Sequence, residues 1–223
     1  MPLCLAIGIF AAPATAKNID LVVKMSEVVQ VTGNPQLVLK IGGVTKKADF
    51  AYYASYQNNV YSRSSSPTEF LLFTYPVVSG DFDPDGIDVT SLATDATNTI
   101  KDAAGNAAVT AFTVVNITNA KVQTYAVAWS QTSYNPGSTP TLNISKAPAN
   151  SSYSLSVTGA GYSPPAYTGT VDAQGSATVT LPVNLPTAGT LTATLTVTVG
   201  GVAGQPVTSY STYAGSVFWG VAS

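Results

Sequence analysis

The sequence predicts an all-β protein built as two tandem sandwich domains, residues 1–118 and 119–223. Three observations carry this. Runs of four to eight residues alternate apolar and polar side chains, the period of a half-buried strand; the most regular, Thr190 through Val199, has one aliphatic face and one face made mostly of Thr. Gly, Pro, Asn and Asp punctuate these runs about every ten residues, as a sandwich requires. And 223 residues at 45% hydrophobic content are enough for two cores of about 100–110 residues each.

The elements follow in order. Leu5 to Phe10 reads as a first strand, with Pro13 in the link that follows. The same stretch has a second reading: Met1 to Ala16 is apolar and ends in Ala14-Thr15-Ala16, an A-x-A-like cleavage site, although no Lys or Arg precedes Lys17 to charge a signal peptide. Ile19–Met25 is a half-buried strand. Gln36–Ile41 and Val44–Phe50 flank Gly42-Gly43 and make a hairpin. Tyr52 to Thr68 reads as a long polar loop with four tyrosines, Tyr52, Tyr53, Tyr56 and Tyr61, either a functional loop, as its length suggests, or one in which several of the tyrosines simply pack on the sheet. Glu69–Tyr75 and Val109–Val115 complete the first domain, and Asn116–Lys121 is the linker.

In the second domain, strands are expected at Val122–Trp129, Thr141–Ile144, Tyr153–Val157, Ser176–Leu181 and Gly189–Val199, with turns at Asn135-Pro136-Gly137 and Asp172–Gly175. There Gly supplies the positive φ. Ser216–Val221 is the last strand or an apolar tail.

Composition excludes much. There is no His, so neither a Ser-His-Asp nor a Cys-His centre can be assembled from this chain. The single cysteine, Cys4, excludes an intrachain disulfide and a thiolate zinc site. Nine scattered Lys and Arg in a chain of net charge −2 do not track a phosphate backbone, so no nucleic-acid partner is expected. No apolar run reaches the length of a membrane-spanning helix. Charged residues are 9%, against roughly 25% in an ordinary domain. Residues 119–223 carry only Lys121, Lys146 and Asp172. So uncharged a surface does little to resist association, and a homo-oligomer or a place among other subunits is expected.

Asp81, Asp83, Asp85 and Gly86 match the first half of a D-x-D-x-D-G calcium loop. Alternating carboxylates on a sharply turning chain supply the oxygens that Ca²⁺ prefers. Asp88 is a fourth candidate ligand, and Asp102 or Asn106 could add oxygens. The twelfth position, normally a bidentate Glu, is Leu92. The other reading is a solvated acidic turn between two strands. Under both readings Asp83→Ala is expected to change calcium-free stability little, because one repelling carboxylate is removed. No cofactor other than Ca²⁺ is suggested.

The stretches Met25-Ser26-Glu27-Val28-Val29-Gln30-Val31-Thr32-Gly33-Asn34-Pro35, Gly80 to Asp88 and Ile100-Lys101-Asp102-Ala103-Ala104-Gly105-Asn106 together resemble one repeat of the bacterial immunoglobulin-like domains of large surface adhesins and cyanobacterial motility proteins, domains also found in phage virion proteins. The resemblance covers residues 1–118 best and implies an immunoglobulin-like sandwich for both halves. It also implies a retained first strand and a structural role for Glu27.

Its functional implication is a non-enzymatic subunit of a phage virion, such as a capsid decoration, fibre or tail-surface protein assembled in the host cytoplasm. The alternative is a secreted adhesin or extracellular filament subunit at the cell surface. A secreted enzyme carrying such modules fits less well, since no catalytic domain is present. Partner contacts, with like subunits or with a host-surface glycan or protein, are expected at Tyr52, Tyr53, Tyr56 and Tyr61 and, near the C-terminus, at Phe218 and Trp219, flanked by Tyr210 and Tyr213. Tyrosine and tryptophan combine large contact area with a polar tip.

Overall fold

The computed structural model describes the backbone of residues 4–11 and residues 18–58, 60–181 and 188–214 in full. The chain divides into two compact units, Met1–Gln123 and Thr124–Ser223. The first holds β1 (Cys4–Ala11), β2 (Asn18–Thr32), β3 (Gln36–Ile41), β4 (Val44–Gln57), β5 (Val60–Ser64), β6 (Thr68–Pro76), β7 (Phe82–Asp83), β8 (Ile87–Ala93), β9 (Thr99–Asp102), β10 (Ala111–Ile117) and β11 (Val122–Gln123). The second holds β12 (Ala126–Trp129), β13 (Ser133–Tyr134), β14 (Thr141–Ser145), β15 (Ser152–Gly159), β16 (Tyr167–Thr170), β17 (Ala177–Thr180), β18 (Gly189–Val199), β19 (Val202–Ala203) and β20 (Val207–Tyr213). Among the described residues there is no helix, and therefore none long and apolar enough to cross a membrane.

In the first unit the strands run in the order β1-β2-β6-β4-β3-β8-β10, with β5 on β4 and β9 on β2. Two long strands fold this single ladder into a sandwich. β2 pairs with β6 through Lys24, then passes a bulge and pairs with β9 from Val29 to Thr32. β4 pairs with β3 over Val44–Asp49 and with β6 over Asp49–Ala54. Strands distant in the ladder thereby face each other. Leu21, Val23 and Phe73 from one layer and Leu37, Leu39 and Val89 from the other are all solvent-free members of one core. Each such side chain contributes about 1.5–3 kcal/mol on burial.

The first unit ends later than the sequence suggests. Ala120 and Val122, in and just beyond the expected linker, are buried in its core, and Val122–Gln123 pair with Phe82–Asp83. The boundary therefore falls after Gln123 rather than after 118, and the expected strand Val122–Trp129 is cut in two, β11 in one unit and β12 in the other.

In the second unit β12, β14 and β17 form one sheet, and β13-β20-β18-β15-β16 form the other. β12 is antiparallel to β14, whereas β13 runs parallel to β20, so the chain changes sheets within its first ten residues. Strands β12, β14 and β17 thus take the places of A, B and E of an immunoglobulin sandwich and β15, β18 and β20 those of C, F and G, with β16 added beside β15. Leu142 and Ile144 from one sheet and Leu155, Leu191, Leu195 and Val197 from the other are buried.

The outer face of the larger sheet explains how the unit does with so little charge. Thr192, Thr194, Thr196 and Thr198 of β18 stand opposite Thr158, Ser156, Ser154 and Ser152 of β15. Such hydroxyl pairs suit a pleated surface and contribute roughly 0.2–1 kcal/mol each relative to alanine.

Candidate functional site

The expected tyrosine loop is a β-hairpin. β4 continues to Gln57 and returns as β5, with Tyr56 opposite Tyr61 and Ala54 opposite Arg63. Asn58, at φ 51°, occupies the left-handed region that Asn tolerates in tight turns. Because the tyrosines lie on a strand, alternation decides their directions. Tyr53 points inward. Its hydroxyl accepts the Val31 N–H at 2.7 Å, and its ring meets Phe50 edge-on at 5.5 Å. Tyr52, Tyr56 and Tyr61 point outward.

On that outer face Tyr56 and Tyr61 form a tilted pair with centroids 4.6 Å apart, and both touch Phe70, at 6.0 and 5.6 Å. Packing of this kind contributes about 0.5–1.5 kcal/mol per aromatic pair beyond simple burial. It also pushes the Tyr61 phenol pKa up, through desolvation first and the nearby Tyr56 second. Tyr56 remains 45% exposed. Two cations sit over the surrounding rings: Arg63 lies 5.2 Å from the Tyr52 centroid, and Lys24 lies 5.5 Å from that of Phe70. Lys24 also reaches Glu69 at 4.0 Å.

Phe70, Lys24 and Arg63 were not singled out by the sequence. Phe70 lies in the apolar run Phe70-Leu71-Leu72-Phe73, which reads as core on both faces. The signal that separates its members is pairing: Leu71 and Phe73 enter the core, while Phe70 shares its face with Lys24 and Ala54. Phe218 and Trp219 lie outside the described residues. Of the other two aromatics near the C-terminus, Tyr210 is 67% exposed and Tyr213 is buried.

The acidic loop is arranged differently from a metal site. Asp81 is buried; its Oδ2 accepts the Tyr75 hydroxyl and the Val78 N–H, both at 2.9 Å, and its Oδ1 lies 3.1 Å from the Lys46 ammonium. Asp83, 4% exposed, accepts the Gly42 N–H on Oδ2 at 2.7 Å and the Gly86 N–H on Oδ1 at 3.0 Å. Asp85 is exposed, and Asp88 accepts the Asn116 amide at 2.9 Å. Asp81, Asp83 and Asp88 thus each turn to their own protein donors. Among the described residues no three acidic, Cys or His side chains are grouped to hold a metal. The residues do not fit Ca²⁺, because N–H groups and an ammonium already occupy the oxygens that an ion would need.

Desolvation pushes the Asp83 carboxyl up to about 6. The Gly42 N–H counteracts this, while the neighbouring Asp85 carboxylate adds to it, by accepting a hydrogen bond from the protonated Asp83 and by its negative charge. Asp102 is also structural: both of its oxygens take N–H groups of Asn106, at 2.8 and 2.7 Å, and these bonds lower its pKa.

No family model matches the chain, and no curated protein does. Among solved structures it is similar to the D00–D0 domain of intimin, with 16% identity over 94% of this chain and 98% of that one, at a TM-score of 0.40. It is also similar to the adhesin InvE of Yersinia pseudotuberculosis, with 14% identity over 93% of this chain and 58% of that one, at 0.30. A third is the Escherichia coli adhesin FdeC, with 14% identity over 95% and 63%, at 0.32. The chain spans less than two thirds of the latter two. The fold assignment stands on strand pairing and not on these likenesses.

Proposed function

We propose that the chain is a non-enzymatic adhesion module of a surface, which contacts its partner through the outer face of the β4–β5 hairpin. The observation that supports this is the Tyr56–Tyr61–Phe70 cluster. Three aromatic rings stand in mutual contact on paired strands, Tyr56 exposed and Tyr61 and Phe70 partly buried, where a solvated sheet face would ordinarily carry small polar groups. Rigid exposed tyrosines give contact area at small entropic cost. The chain has no His, and among the described residues the buried carboxylates Asp81, Asp83 and Asp102 are engaged by structural donors. In the same reading the nearly uncharged second unit lies against like or other subunits. An exposed aromatic face on a sheet supports adhesion at a cell surface rather than assembly into a virion.

The test is retention of beads carrying the full chain on a panel of cell surfaces under flow. Wild type is expected to hold on at least one surface, and Tyr56→Ala/Tyr61→Ala is expected to lose most of that retention while melting within a few degrees of wild type. Equal retention of the two, or none by wild type, overturns the proposal.

A further inference from the structure

The hairpin face has a chemical polarity beyond its aromatic content. Pairing aligns Arg63, Ala54, Phe70 and Lys24 in one row across four strands, with Tyr56 and Tyr61 in the adjacent row. At about 4.8 Å per strand, the backbones of Arg63 and Lys24 stand about 14 Å apart, with Ala54 and Phe70 between them in the row. The rings of Tyr56, Tyr61 and Phe70, in mutual contact, form an aromatic patch beside Arg63 and Lys24. Two cations border the patch against one carboxylate, Glu69, which is already beside Lys24. Arg63 is exposed, rests on the Tyr52 ring and, among the described residues, has no carboxylate in salt-bridge reach. A guanidinium resting over an aromatic ring still directs its fork of N–H donors outward in its own plane, a geometry that suits bidentate binding of a carboxylate.

We infer that this patch binds an acidic saccharide. The apolar C–H face of a pyranose lies on Tyr56, Tyr61 and Phe70, and the sugar carboxylate is taken by Arg63. The size of the patch favours a saccharide over a protein. Three rings and one guanidinium match one or two sugar units, whereas a stable protein interface covers about 800 Å² on each partner. The uncompensated charge of Arg63 favours an acidic sugar over a neutral one.

The inference rests on the adhesive reading of the hairpin and is tested separately from it. The full chain is titrated calorimetrically at low salt with 3′-sialyllactose and with an oligogalacturonate. Lactose serves as the neutral control and poly-L-glutamate as the acidic peptide control. At least one acidic sugar is expected to bind tenfold or more tighter than lactose and than the peptide. Arg63→Gln should reduce its affinity to the level of lactose while melting as wild type does, and Tyr56→Ala should abolish binding while still unfolding cooperatively well above the assay temperature.

Binding of lactose equal to that of both acidic sugars overturns the inference. So does stronger binding of polyglutamate, which assigns the patch to acidic peptides, or failure of both acidic sugars to bind. If beads still adhere in a Tyr56-dependent way while the sugars fail, the inference alone falls. Loss of bead adhesion by wild type removes the proposed function as well.

Discussion

The Asp83 carboxylate accepts the backbone N–H of Gly42 at 2.7 Å, and so ties the β3–β4 turn to a loop 41 residues further along the chain. Its other oxygen accepts Gly86 N–H at 3.0 Å within its own loop. One buried side chain thus holds two turns. Asp83→Ala leaves both donors without this partner, at about 1–3 kcal/mol for each that water does not reach. The expected result in urea denaturation is a loss of about 2 kcal/mol or more in the first unit. This replaces the near-neutral effect expected from the sequence, where Asp83 was read as one of several repelling carboxylates.

Calcium is expected to leave the melting curve unchanged. A ligand stabilises only by binding the folded state, and here the Lys46 ammonium at 3.1 Å from Asp81 and the N–H groups on Asp83 stand where an ion would. Calorimetric scans in millimolar calcium and in chelator should superimpose. A rise in melting temperature with calcium that Asp83→Ala removes would refute this account of the loop.

The pH dependence of stability separates two kinds of aspartate. Asp83 has a folded pKa of about 6, above its ordinary value of 3.8, so between these values the folded state binds the proton more tightly than the unfolded state. Its contribution is therefore fully present below pH 4, declines as pH rises to 6 and is constant above. Asp95 is the opposite case. The Asn98 side chain and the Thr97 and Asn98 N–H groups hold its pKa low, so its contribution is present above pH 4 and is lost in strong acid. Melting temperatures of Asp83→Asn minus those of wild type should rise with pH from 4 to 6 and then level off. For Asp95→Asn the difference from wild type should shrink as pH falls below 4. Parallel profiles for wild type and Asp83→Asn would contradict the first assignment.

Gly86 is fixed by space as well as by conformation. At φ 112° a Cβ there would lie 2.5 Å from the Ile117 carbonyl oxygen and 2.6 Å from Thr118 Cα, both backbone atoms. Gly105, at φ 86°, has nothing within 4 Å of the same position. Gly105→Ala should therefore cost about 1–2 kcal/mol from the left-handed backbone alone. Gly86→Ala should cost clearly more, since the chain segment behind it must also shift. Equal losses in chemical denaturation would show that the close approach is relaxed in solution.

The strands that were legible in the sequence are those with one wet and one dry face. Gln36–Ile41, its Gly42-Gly43 turn and Gly189–Val199 appear as read. The β4–β5 hairpin was not legible, because Tyr, Ser, Asn and Arg occupy both of its faces and leave no period-2 contrast. The two-residue strands β7, β11, β13 and β19 have too few residues to show any period and exist only through their partners. The acidic loop misled for a related reason. Carboxylates that accept N–H groups and carboxylates that bind calcium look alike in sequence, and the deciding donors, Gly42 and Lys46, lie far upstream. With no His and a single Cys, composition alone does rule out a His-based centre and an intrachain disulfide within these 223 residues.

Two buried tyrosines of the second unit offer a last contrast. Tyr134 is 1% exposed, and its hydroxyl meets Ser130 Oγ at 2.9 Å, donates to the Thr141 carbonyl at 3.1 Å and accepts the Gln131 N–H at 3.2 Å. It thereby joins β13 to the start of β14. Tyr213, 2% exposed and in the same aromatic cluster, has no hydrogen-bond partner for its hydroxyl among the described residues. A buried hydroxyl without a partner opposes folding, while removal of one that satisfies several groups strands them. Tyr134→Phe should therefore destabilise the unit by about 1–3 kcal/mol, and Tyr213→Phe should be neutral or stabilising. Both substitutions keep the ring and its packing, so a difference between them reports the hydroxyls alone. Urea denaturation followed by Trp129 fluorescence, whose indole lies edge-on to Tyr134 at 6.0 Å, measures both. A loss for Tyr213→Phe as large as that for Tyr134→Phe would mean that the Tyr213 hydroxyl holds a partner in solution, and a bridging water would then belong to this core.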